Sequence, residues 1–210
     1  MQAGRFITLE GGEGAGKTTL LTTLQSKLLA KGYEVVVTRE PGGTPGAEAI
    51  RNLLVTGSAE RWSALSELCL FFAAREDHLN RLIRPALARG AFVLCDRFTD
   101  STRVYQGQAG GAGLEAVELL DRLIVGHTQP DLTMILDLDP AIGLKRAAAR
   151  HGNEDRFESK TLDFHNALRT AYLGLANHFP TRCVVLDAQT KPEALGHVAW
   201  ELLTKRFVLA

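Results

Sequence analysis

Cysteine is scarce in this chain of 210 residues: Cys69, Cys95 and Cys183 stand far apart, odd in number and embedded in apolar runs. That pattern fits neither a disulfide framework nor metal-ligand spacing, so buried free thiols in a reducing compartment are expected. Net charge is lacking as well, since 24 Lys and Arg face 24 Asp and Glu. A basic footprint for nucleic acid is thereby excluded for the chain as a whole, and any anion site has to be local. No apolar stretch is long enough to span a bilayer, and Met1 runs into Arg5-Phe6-Ile7-Thr8-Leu9 without a basic and apolar leader. A cytoplasmic protein with no membrane partner is the expectation. Internal repeats, low-complexity tracts and linkers are absent too. With 45% hydrophobic residues, the length suits one core and a single domain over residues 1–210.

What the chain does have is five short apolar runs: Phe6 to Leu9, Val35 to Val37, Phe92 to Cys95, Met134 to Leu138 and Cys183 to Leu186. Short runs without alternation suit parallel strands covered on both faces. Helical patterns lie between them. Leu20, Leu21, Leu24 and Leu28 make one stripe ending at Gly32, and Leu65, Leu68, Phe72, Leu79 and Leu82 make another that Pro85 should kink or end. Strands alternating with helices predict a doubly wound α/β fold, whose ligands sit at the carboxyl ends of the strands.

Directly after the first run comes Gly11-Gly12-Glu13-Gly14-Ala15-Gly16-Lys17-Thr18, which satisfies G-x-x-x-x-G-K-[ST] in the order strand, loop, helix. Glycines let backbone N–H groups turn inward around phosphate oxygens, and the helix N-terminus adds partial positive charge. Lys17 would bridge the β/γ-phosphates and the Thr18 hydroxyl would ligate Mg²⁺. A glycine-rich turn that binds nothing is the bland alternative, and the flanking strand and helix argue against it.

Such a loop serves switches, motors and small-molecule kinases alike, so other segments must choose. Phe92-Val93-Leu94-Cys95-Asp96-Arg97 ends a strand in a carboxylate placed for Mg²⁺ and a guanidinium able to hold phosphate; a structural ion pair is its plainer reading. Phe71 and Arg75 lie one helical turn apart, which could stack a ring on a base while the arginine reaches a phosphate. Phe71 as core is the alternative, against which an unpaired buried Arg75 would be costly. Lys145, Arg146, Arg150 and Arg156 surround Gly152-Asn153. This cluster reads either as a solvated helix face or as a lid that excludes water and brings an arginine to the transferring phosphoryl group.

Taken together, these segments resemble the thymidylate kinases, in the bacterial branch with lid arginines. The resemblance runs over nearly the whole chain: the loop through Thr19, Thr38-Arg39-Glu40-Pro41-Gly42-Gly43-Thr44, Phe71-Phe72-Ala73-Ala74-Arg75, Asp96-Arg97-Phe98, Ser101 to Gln106, the lid, and Leu186-Asp187-Ala188. It implies the nucleoside-monophosphate-kinase form of the P-loop fold, with about five parallel strands, helices on both faces and a short lid over about 145–158. It also implies a homodimer, ATP with Mg²⁺ as donor, and dTMP as the acceptor that becomes dTDP.

By the same resemblance Phe71 stacks on thymine, with Arg75 at its O4 edge and Thr102 at the N3 side, which replaces the phosphate role read for Arg75 from spacing. Arg97, aided by Arg51, holds the dTMP phosphate, and Glu13 accepts a hydrogen bond from the sugar 3′-OH. Tyr105 and Gln106 lie over the 2′ side and the base, with Glu40, Pro41 and Ser101 lining the same site. Gly11 to Thr19 take the ATP phosphates, Asp187 and Ala188 flank the adenine, and Thr18 and Asp96 serve the metal. Arg150, then Arg156, is the choice for the transition-state arginine beside Lys17 and Arg97. Phe98 stands where the family commonly has Tyr or His. A GTPase switch is the rival from another class, and no Asn-Lys-x-Asp segment is present to read guanine.

Overall fold

All five apolar runs join one parallel sheet in the computed structural model, which describes residues 4–58, 60–149 and 160–209. The strands are β1 (Arg5–Glu10), β2 (Val35–Arg39), β3 (Phe92–Asp96), β4 (Leu132–Asp137) and β5 (Cys183–Asp187), in the order β2-β3-β1-β4-β5. β4 starts at Leu132 rather than Met134, because Leu132 and Thr133 pair with Ile7 and Thr8. The described helices are α1 (Lys17–Ala30), α2 (Pro45–Val55), α3 (Ala64–His78), α4 (Arg84–Ala88), α5 (Thr99–Thr102), α6 (Leu114–Leu120), α7 (Pro140–Ala148), α8 (Leu162–His178) and α9 (Pro192–Phe207). π-helical turns follow α3, α5 and α6 at Leu79–Ile83, Arg103–Ala109 and Asp121–Val125.

Helices cover both faces of the sheet, which explains the lack of alternation in its strands. Ile7, Leu9, Leu94, Met134 and Leu136 meet Leu20, Leu21, Leu24 and Leu28 of α1, with Leu195, Ala199 and Leu203 of α9 alongside. Phe6, Val93 and Cys95 pack the other way, onto Leu68 and Phe72 of α3. A third cluster joins Ile135 and Cys183 to Leu168, Tyr172 and Leu175 of α8.

The stripe read along α3 needs two corrections. Leu65 is 57% exposed, and the part of the helix that reaches the core begins at Leu68. Farther on, Pro85 has no N–H to donate and its ring crowds the preceding turn; the wider π turn over Leu79–Ile83 absorbs it and moves the buried position from Leu82 to Ile83. Cys69 is exposed, contrary to the expectation for all three thiols, because it lies about 100° around the helix from Leu68. No described helix is long and apolar enough to cross a membrane.

The register fixes the site. Leu9 pairs with Asp96, and Glu10 pairs with Ile135. The chain therefore leaves β1 into Gly11, β3 into Arg97 and β4 into Leu138 on the same edge of the sheet, at carboxyl ends that lie side by side.

Candidate active site

At that edge Gly16 takes a left-handed conformation (φ 92°) and α1 begins at Lys17, so the helix N-terminus opens into the loop. Lys17 is 8% exposed, and its ammonium donates to the carbonyls of Gly11 (3.2 Å) and Gly12 (3.0 Å). Thr18 Oγ1 donates to Asp96 Oδ2 at 3.3 Å, joining the loop to the end of β3. Lys17, Thr18, Asp96 and Gly14 to Gly16 line one cavity of about 1300 Å³. Gly14 is left-handed (φ 67°) and lies against α7: a Cβ on Gly14 would overlap the Gly143 carbonyl, and one on Gly143 would overlap that of Glu13. Only glycine permits this backbone-to-backbone approach.

A second cavity of about 730 Å³ adjoins the first and shares Glu13, Glu40, Arg51 and Arg97 with it. Around it the fold gathers every residue assigned above to the acceptor: Glu13, Glu40, Pro41, Arg51, Phe71, Arg75, Arg97, Ser101, Thr102, Tyr105 and Gln106, with Val55 and Phe98. Arg75 is 2% exposed, and its charge is met by Glu40 Oε2 at 2.7 Å from Nε. Nη2 donates to Thr102 Oγ1 at 2.9 Å, and the guanidinium lies over the rings of Phe72 (4.7 Å) and Phe98 (5.1 Å). Nη1 has no hydrogen-bond partner among the described residues. Glu40 is held in turn by His78 Nδ1 at 3.0 Å, whose Nε2 meets the Thr38 hydroxyl at 2.7 Å. His78 thereby bridges Glu40 and the Thr38 hydroxyl.

Between the cavities Arg97 Nη2 pairs with Glu13 Oε1 at 2.7 Å, and the Tyr105 hydroxyl donates to the same oxygen at 3.1 Å. Burial pushes the Glu13 carboxyl up, but Arg97, Lys17 and the Tyr105 hydroxyl outweigh it and lower it to about 2. An acidic residue in a phosphate loop is thus kept ionised by the cations that phosphate would also meet. Arg51 donates to the Pro41 carbonyl at 2.6 Å, and Gln106 donates to Glu67 at 2.9 Å.

A family model described as thymidylate kinase matches residues 9–197. The chain belongs to the thymidylate kinase family. It is 53% identical over 209 residues to a thymidylate kinase of Caulobacter vibrioides, covering 100% of both chains. It is 50% identical over 208 residues to one of Rhodopseudomonas palustris, covering 98% of this chain and 90% of that one. Among solved structures, the thymidylate kinase of Ehrlichia chaffeensis superposes with a TM-score of 0.78 at 31% identity, over 96% of this chain and 99% of that chain.

Not every residue that the thymidylate kinase resemblance points to lines these cavities. Thr19 is exposed on α1. Asp187 ends β5 beside Asp137, and the N–H of Ala188, the next residue, donates to the Asp137 carbonyl at 2.9 Å; Ala188 is 2% exposed. Arg146 Nη1 reaches the Ala188 carbonyl at 3.5 Å, which ties α7 to that loop. Arg150 and Arg156 lie outside the described residues.

Phe98 uses its ring: it stacks on Arg75 and meets Phe6 edge-on at 4.9 Å, so packing needs no hydroxyl or imidazole at this place. Sequence reasoning missed Glu10, His78, Gly143 and Tyr172. An acidic residue closing an apolar strand and a glycine inside a helix were available signals for Glu10 and Gly143. Nothing local marks His78 or Tyr172.

Proposed function

We propose that the enzyme transfers the γ-phosphate of ATP to dTMP, giving dTDP and ADP, with the donor phosphates in the larger cavity and dTMP in the smaller. The observation that carries the acceptor is Arg75: a buried guanidinium with one N–H group unpartnered among the described residues, on a cavity wall shared with Phe71. An N–H donor at a ring edge suits a carbonyl such as thymine O4 and opposes the amino group of cytosine. Phe71 supplies a face for the base. Thr102 Oγ1 has a second lone pair for the N3–H, its first being used by Arg75.

At the junction of the cavities Arg97 takes the dTMP phosphate with Arg51, and Glu13 takes the 3′-OH on the oxygen that Arg97 and Tyr105 leave open. Tyr105 and Gln106 close the 2′ side. No strong base is required, because the attacking phosphate oxygen is ionised at neutral pH; alignment and charge neutralisation supply the catalysis. Lys17 and the helix N-terminus stabilise charge on the donor, with Arg150 or Arg156 delivered from a lid over about 145–158. Thr18 and Asp96 offer hard oxygen donors 3.3 Å apart on the donor cavity, a fit for Mg²⁺, which takes few protein ligands beside phosphate and water. When bound, the ion would add charge neutralisation on the phosphate oxygens. Asp187 and Ala188 flank the adenine, Ala188 through its backbone.

The same reading makes the chain a single-domain, cytoplasmic homodimer. Exposed Leu65, Leu119 and Leu123, on α3, α6 and the π turn after it, support an apolar contact between copies.

The test is ADP production from ATP and Mg²⁺ with dTMP, dUMP, dCMP, AMP, GMP and thymidine as separate acceptors. Turnover is expected with dTMP and, more weakly, with dUMP. Turnover confined to another acceptor, or hydrolysis that ignores the acceptor, overturns the base-site reading.

The 3′-OH contact has a pH signature. A carboxyl lowered to about 2 remains charged throughout the working range, and its hydrogen bonds are lost only as pH falls toward that value. Glu13→Gln is therefore expected to weaken dTMP binding about ten-fold, by the same factor from about pH 5 to about pH 9. Calorimetric titration of both proteins checks this, and a difference that vanishes on acidification within that window would count against Glu13.

A further inference from the structure

Arg97, which holds the acceptor phosphate on the reading proposed above, is aimed by contacts from across the fold. Arg97 follows β3 in a left-handed conformation (φ 68°), which is strained for a non-glycine residue. Such a backbone persists only where surrounding contacts over-determine it. Its Nη1 faces three oxygens: the Gly11 carbonyl at 3.0 Å, Ser101 Oγ at 3.2 Å and the Tyr172 hydroxyl at 3.1 Å. Nη2 pairs with Glu13. The guanidinium also lies against Tyr105, its Cζ 5.1 Å from the ring centroid.

Tyr172 comes from α8 and is 2% exposed. Its hydroxyl meets Ser101 Oγ at 2.8 Å and lies 3.3 Å from Glu10 Oε2, while Ser101 donates to the same Glu10 oxygen at 2.5 Å. Glu10 is fully buried at the end of β1, and its other oxygen accepts the Phe98 N–H at 2.8 Å. Ser101 gives its one proton to Glu10 and so accepts that of Tyr172 at 2.8 Å, which turns lone pairs of both hydroxyls toward the guanidinium while Glu10 is ionised; burial and Asp100 push the Glu10 carboxyl up to about 7. Burial and Glu10 keep the Tyr172 hydroxyl protonated, well above its usual range.

We infer that Tyr172 is a positioning residue for the acceptor phosphate: its hydroxyl, oriented by Ser101 and Glu10, holds Nη1 of Arg97 and so aims the guanidinium at the ligand. The residue acts through Arg97 and touches no reacting atom.

The experiment measures dissociation constants of dTMP and of thymidine, which lacks the phosphate, for the wild type, Tyr172→Phe, Glu10→Gln and Arg97→Lys. Tyr172→Phe keeps the ring that meets Tyr105 edge-on at 6.4 Å, so the fold should survive. It is expected to weaken dTMP about ten-fold and leave thymidine unchanged. Glu10→Gln, which leaves the aromatic packing intact, should show the same split and answers the question should Tyr172→Phe fold poorly. Arg97→Lys should show a larger one. If Arg97→Lys discriminates the two ligands and neither of the other variants does, the inference about Tyr172 is wrong while Arg97 keeps its role. If Tyr172→Phe weakens both ligands equally, its role is structural and the inference also fails. If Arg97→Lys itself fails to discriminate, the underlying assignment of Arg97 falls, and the inference falls with it.

Discussion

Replacing Lys17 by Met should lower kcat by about 10³-fold while leaving the folded structure in place. The methionine matches the stem in length and fills the same buried space, so what is lost is the ammonium alone. In the structure that ammonium sits over the loop, satisfied by the carbonyls of Gly11 and Gly12, at the point where the α1 N-terminus and Arg97 also converge. Burial lowers its pKa, Arg97 adds to that, and Asp96, Glu13 and Glu10 oppose it. A cation already stripped of water and surrounded by fixed dipoles needs no reorganisation when charge develops on a transferring phosphoryl group. The same desolvation means that the variant loses little stability, since an expensive buried charge disappears with the function. Single-turnover kinetics, with thermal unfolding as the control, separate these effects. A variant that folds and retains turnover within about ten-fold of wild type would leave the phosphate-loop assignment without support.

The parts of this architecture that the sequence revealed are those whose causes are local. A strand buried on both faces has to be a continuous apolar run, so each of the five strands announced itself, and the leucine stripe of α1 announced its packing face. The loop between them could be read because its glycines and Lys17 are adjacent in the chain. Residues that act across the fold left no such trace. His78 holds Glu40 from 38 residues away, and Tyr172 reaches Arg97 from 75 residues away, so their meaning exists only once the sheet has brought α3 and α8 to the same edge. Spacing and residue type point to Phe71 for a base and Arg97 for a phosphate, whereas the other acceptor residues, and the transfer of Arg75 from phosphate to base, come from family resemblance. The misplacements along this stretch have two origins: the π turn before Pro85 breaks the ideal period and so moves Leu82 off the core, and Leu65 keeps the period but lies before the part of α3 that reaches the core.

Arg75→Met is expected to be costly twice, and the two costs can be separated. Arg75 is the counter-charge for Glu40, which is 5% exposed. Without it a carboxylate is left buried with only the His78 ring, and breaking such a pair from one side destabilises by about 3 kcal/mol. Function fails for a different reason. The unpartnered Nη1 is the donor proposed for thymine O4, and loss of a hydrogen bond from a charged donor should reduce kcat/KM for dTMP by about 100-fold. Combining Arg75→Met with Glu40→Gln removes the stranded charge, so the double variant should recover most of the lost stability and almost none of the lost activity. Preference for dTMP over dCMP should also narrow in both variants, because the group that opposes the cytosine amino group is gone. Urea unfolding and acceptor kinetics on the three proteins test the argument. If the double variant regains activity together with stability, Arg75 serves only to neutralise Glu40 and does not read the base.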